Sequence, residues 1–158
     1  MKTIKIEVKW AILFTITLLA WSWLEKTLGW HDSHIEDHSW GTFLFTPIAI
    51  FLYLLALREK RRRFFSGKMT WLQGFVTGVK IAVFVAILSP FAQYFIHTVI
   101  SPDFFDNMIA HAVSSGKSTQ QEAESYFNLT SYIWQSAVGA IIMGTITAAV
   151  VAISTKRS

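Results

Sequence analysis

Four long apolar blocks separated by three polar connections leave this 158-residue chain few ways to fold. The blocks run approximately 8–28, 40–57, 71–100 and 130–153. Each is near or above the roughly 20 apolar residues that cross about 30 Å of hydrocarbon. A backbone in lipid must satisfy its own hydrogen bonds, so each block is a helix or part of a closed barrel. Four segments are too few for a barrel, and these are too long and too continuously apolar to be barrel strands. The sequence predicts an all-α fold, an integral membrane four-helix bundle forming one domain over 1–158. Only 15% of the residues are charged, against about a quarter in soluble domains. Lys2, Lys5 and Lys9 precede the first block as in a signal peptide, but no small-x-small cleavage motif follows, and the block is read as retained.

Charge divides sharply between the two sides. The N-terminus, the 58–70 loop and the C-terminus carry eleven basic residues, among them Arg61, Arg62 and Arg63, against Glu7 and Glu59. The other two connections carry Lys26 and Lys117 against eight acidic residues. Basic loops are retained in the cytoplasm, so both termini are expected inside. Trp10 and Trp71 then fall at the inner interface, and Trp23, Trp30 and Trp40 at or just beyond the outer one, where an amphipathic ring is at ease.

Helices in lipid associate through close van der Waals contact, which small residues permit. Gly74, Gly78, Ala82 and Ala86 recur at four-residue spacing in the third span; Ser136, Ala140, Gly144, Ala148 and Ala152 do so in the fourth. Residues four apart share a helix face, so these seams predict a tight antiparallel pair. Pro47 and Pro90 each interrupt a span and are expected to bend it, with a small cavity as the alternative use.

The outer connection 101–129 predicts a short amphipathic helical hairpin lying on the membrane rim. Ser101-Pro102-Asp103 reads as an N-cap, a first-turn proline and a first-turn acid. Phe104, Phe105, Met108, Ile109 and Ala112 form an apolar stripe, and Gly116 is a natural stop. Ser118 to Gln121 reads as a capping box that starts a second helix.

Three features invite chemistry. His31, His34 and His38 are spaced three and four apart in the first outer loop; on a helix all three imidazoles would face one way and suit Zn²⁺, Ni²⁺ or Cu²⁺. The alternative is a hydrated loop that happens to be His-rich. Lys80 is the one charge well inside a span, expected to point away from the small-residue seam toward the first two helices. Its stem can reach back to the inner headgroups, with Glu59 or Glu7 nearby, or contact a substrate or lipid phosphate. The basic run with Arg61, Arg62 and Arg63 suits anionic lipid headgroups; held against the membrane it does not read as a nucleic-acid site. Asn128-Leu129-Thr130 matches a glycosylation sequon but abuts the fourth span. No nucleophile elbow, phosphate loop or zinc-protease helix is present, there is no Cys, and no cofactor is indicated. Buried acidic pairs are missing from the spans, which argues against a proton-coupled pump.

Three stretches carry a family resemblance. Gly74-Phe75-Val76-Thr77-Gly78 opens the third span, and Ser101-Pro102-Asp103-Phe104-Phe105-Asp106-Asn107-Met108-Ile109 follows it. The third is Gly116-Lys117-Ser118-Thr119-Gln120-Gln121-Glu122-Ala123-Glu124, ahead of a Gly-rich final helix. Together they resemble the uncharacterised bacterial family catalogued as domain of unknown function 4199. The resemblance covers most of the chain, most specifically residues 71–153. It implies four spans and an inner-membrane location of the Bacteroidetes type, with a hint of envelope biology. It brings no activity, cofactor or catalytic residue, and the His-rich loop lies outside its motifs. The expected function is a non-enzymatic interaction or accessory module whose partners are the lipid bilayer and another membrane protein or a second copy as a homodimer. The alternatives are a small transporter or lipid-binding protein using Lys80, and metal binding by the outer histidines.

Overall fold

The computed structural model describes residues 4–157; Lys2, counted above with the basic flank, lies outside them. Helix α1 spans Lys5–Thr27, α2 His38–Arg63, α3 Trp71–Phe95, α4 Phe104–Ser114, α5 Gln120–Tyr126 and α6 Leu129–Thr155. A 3₁₀ turn, Ile35–Asp37, leads into α2, and a π-helical turn, Ile96–Ile100, ends α3. Helices α1, α2, α3 with its π turn, and α6 are long and apolar enough to cross a membrane. All four expected spans are therefore present. The second helix runs on to Arg63, past its expected end at Leu57, because Arg58–Arg63 are good helix formers at an interface where the last carbonyls welcome positive charge.

The core is apolar, as in a water-soluble bundle, but the outer surface is apolar as well, and charged side chains are buried within. Phe43 and Phe91 are 70% and 73% exposed, whereas Glu7 and Lys60 are 0% and 2% exposed. Large apolar groups face outward because lipid solvates them, and Glu7 and Lys60 turn inward to meet each other because lipid does not solvate charge.

The tightest packing joins α3 to α6. A Cβ on Gly78 would lie 2.4 Å from the Ala148 Cβ, and one on Gly144 would lie 2.6 Å from the Ala82 Cβ. Gly74 faces Ala152 in the same way, at 3.2 Å. The small-residue stripes thus meet in antiparallel order, with Ala86 and Ala140 also at the buried side. Tyr53 reaches in from α2, its hydroxyl 2.6 Å from where a Gly144 Cβ would stand. Helix α3 also packs on α1, and α2 closes the bundle against α1 and α6. Pro47 and Pro90 lie within continuous helices.

Both ends of the bundle are tied down. At the end holding the termini, Met69 and Arg157 exchange two backbone hydrogen bonds of 2.9 and 2.8 Å, and Arg61 donates to the Thr155 carbonyl at 2.8 Å. At the other end, α4 and α5 form the expected hairpin, with Gly116 at φ +67° where a side chain would be strained. Two caps differ from expectation. Helix α4 starts at Phe104 with Asp103 as its N-cap, because Ser101 turns its hydroxyl to His31 instead. The capping box of α5 is Thr119 with Glu122, one residue later than Ser118 with Gln121.

Candidate metal centre

Glu25, in the last turn of α1, is a buried carboxylate. Its Oε1 accepts from the Trp21 indole N–H at 3.0 Å, one helical turn back. Its Oε2 lies 3.4 Å from Nε2 of His31, which is 2% exposed. His38, at the first position of α2, completes the group: one ligand atom from each of Glu25, His31 and His38 lies within 4.8 Å of the others. Gly41 makes room for this, since a Cβ there would stand 2.6 Å from both the Glu25 Oε1 and the Trp30 ring.

The outer contacts orient the donors. His31 Nδ1 lies 2.6 Å from the Ser101 hydroxyl, and the Asn107 amide donates to the His31 carbonyl at 3.0 Å. With Nδ1 protonated and donating to Ser101, Nε2 keeps a lone pair toward Glu25; in the other tautomer Nε2–H donates to Glu25 and the Ser101 hydroxyl donates to Nδ1. Second partners of this kind fix ring orientation in metal sites. His38 Nδ1 is buried with no hydrogen-bond partner among the described residues. Such an orphan asks for an explanation, as do Glu7 Oε2 and His97 Nδ1, which are buried in the same way. Two ligands of a tetrahedral Zn²⁺ at about 2.0–2.1 Å stand roughly 3.3–3.4 Å apart. The Glu25–His31 separation of 3.4 Å fits, and a His38 nitrogen lies within 4.8 Å of a donor atom of each.

The ring of Phe104 covers the group, its centroid 5.1 Å from that of His31 and 5.0 Å from those of His38 and His97. His97 joins this layer from the π turn, with Nε2 3.1 Å from Gln93 Oε1 and Nδ1 buried without a partner among the described residues. Nearby, Asp32 is exposed, and its hydrogen bonds from the Lys26 ammonium and the Ser33 amide lower its carboxyl pKa to about 2.

The structure does not gather the three histidines expected from spacing. Residues 28–34 form turns rather than a helix, and His34 is exposed, with Nδ1 3.0 Å from the Ser33 hydroxyl. Glu25 takes the third place. Its spacing from Trp21, and its place six residues before His31, are the signals in the sequence that point to it. Lys80 shares a hollow with Glu7 of α1 and Lys60 of α2, the side expected for it, but the carboxylates on that side have other partners. Glu7 pairs with Lys60 at 2.8 Å, and Glu59 pairs with Lys9 and also binds the Trp10 indole at 2.8 Å and Arg63 at 3.5 Å. Arg61, Arg62 and Arg63 do not converge with Lys80. Arg61 caps α6, Arg63 holds Glu59, and Arg62 lines a separate surface hollow with Trp10 and Arg58.

Comparison with curated proteins and with solved structures finds no match. A family model does match, over residues 9–157, which is nearly the whole chain and takes in Glu25, His31 and His38. The chain belongs to the family described as protein of unknown function (DUF4199).

Proposed function

We propose that this membrane protein is a non-enzymatic binding module that holds a divalent transition-metal cation, Zn²⁺ being the first ion to test, between Glu25, His31 and His38. The observation that carries this reading is the convergence of two imidazoles and a carboxylate on one buried point, with the His31 and Glu25 atoms that do not face it engaged by Ser101 and Trp21. Three protein donors leave one coordination position. Binding rather than catalysis is favoured because the buried Phe104 ring covers the group and leaves a substrate little room. The charge division supports a bacterial inner-membrane location with both termini cytoplasmic, which puts the metal group on the outer side.

Titration calorimetry on detergent-purified protein tests the reading. Zn²⁺, Ni²⁺ or Cu²⁺ is expected to bind at one site, and Co²⁺ to give the visible bands of a tetrahedral centre. His31→Ala, His38→Ala and Glu25→Gln each should remove binding, while His34→Ala retains it. Binding that survives the first three, or disappears with His34, overturns the assignment. Reporter fusions test orientation: a fusion near Arg62 that reports from outside the cell would reverse it.

A further inference from the structure

We infer that the cavity beside Lys80 is a binding site for the phosphate of an anionic phospholipid. The cavity, about 290 Å³, lies at the termini end of the bundle and is lined by Glu7, Lys60, Gln73, Thr77 and Lys80, with Phe64, Phe65, Leu72 and Val76 as its apolar walls. Glu7 and Lys60 balance each other through a buried ion pair of 2.8 Å. Lys80 is the charge left over: it is exposed, and none of the hydrogen bonds or ion pairs among the described residues engages its ammonium.

Depth gives that charge its meaning. Lys80 lies nine residues after Trp71, about 14 Å along the helix axis at 1.5 Å per residue. An ammonium there has little water and needs a counter-charge. Side chains lean toward the N-terminus of their helix, so Lys80 leans back into the cavity, toward Gln73 and Thr77. Gln73 uses its amide oxygen to accept from the Thr70 backbone N–H at 2.9 Å, which leaves its amide NH₂ to donate. A phosphodiester brings the single negative charge that offsets the lining's excess positive one, since Lys60 and Lys80 outnumber Glu7, and acceptor oxygens for Lys80 and the Gln73 amide. Leu72 and Val76, 61% and 42% exposed, offer an apolar lane for an acyl chain. The charge match selects an anionic lipid over a zwitterionic one.

Native mass spectrometry of the full chain, released from detergent with phosphatidylglycerol or phosphatidylcholine, tests this. Phosphatidylglycerol should be retained preferentially, and Lys80→Gln should reduce that retention roughly fivefold, the ratio corresponding to about 1 kcal/mol per Lys near anionic lipid. Lys80→Arg should keep it, which also shows that the position tolerates change. Lys117→Gln, in the α4–α5 turn at the other end of the bundle, should leave it intact. Equal retention of the two lipids overturns the proposal. So does preference that survives Lys80→Gln, which would assign the lipid to another surface. Displacement of the lipid by millimolar inorganic phosphate would also overturn it, by assigning the site to the free ion.

Discussion

Helix α1 carries a buried carboxylate near each end, and the two are satisfied in different ways. Glu7 meets a full positive charge, the Lys60 ammonium, at 2.8 Å. Glu25 meets two imidazoles, which carry charge only when protonated and otherwise offer lone pairs. The first arrangement is a neutral pair through Glu7 Oε1, with Oε2 buried without a hydrogen-bond partner among the described residues. The second is the one that the proposed shared cation would complete. On the proposed reading, the same residue type, on one helix, serves cohesion at one end and recognition at the other.

The largest effect expected tests the cohesive end. Lys60→Met strands the Glu7 carboxylate in the bundle and should cost about 3–5 kcal/mol, read as a fall in thermal unfolding temperature in detergent. Removing both charges in Glu7→Leu with Lys60→Met should recover most of that loss. If the single variant unfolds like the parent, the ion pair is not holding that end. Next comes the seam between the ends. Gly78→Val forces side-chain atoms into Ala148 and should cost about 1–3 kcal/mol without selectively weakening metal binding. A selective loss of metal binding would show that the two ends communicate through α3.

Smaller and more specific effects test the recognition end. Ser101→Ala releases the His31 ring and should weaken Zn²⁺ binding roughly tenfold in calorimetry, with little change in unfolding without metal. Gly41→Ala should act in the same direction by displacing Glu25. His34→Ala is expected to change neither quantity. A clear effect of His34 on metal binding would break the contrast drawn between the two ends.

The spans are legible in the sequence because twenty or so apolar residues in a row have few alternatives, and the α3–α6 seam because small residues at four-residue spacing share a face. The polar interior is harder to read. Glu7 and Lys60 look like part of the charged flanks that set orientation, and nothing local in the sequence says that residues 53 positions apart meet. Glu25 looks like an interfacial acid after W-S-W-L. His34 joins its neighbours only if the loop keeps a helical period, and Gly29, at φ +80°, begins a chain of turns that breaks it. The expected cap at Ser101 fails for a related reason: its hydroxyl has a long-range partner 70 residues away that outweighs the local one.

The π turn at Ile96–Ile100 has a consequence for register. The Ser101 amide reaches back to the Ile96 carbonyl at 2.8 Å, five residues rather than four, so this turn holds one residue more than an α-helical turn would. Deleting a single residue there would turn this into an α-helical bond, with the Ser101 amide still on the Ile96 carbonyl, whereas adding one more would carry everything downstream about 100° around the helix axis. Ser101 and Phe104 would then leave the histidines they now adjoin. The extra residue is already absorbed within the turn, so the span at this point accommodates the loss of a residue better than the gain of one.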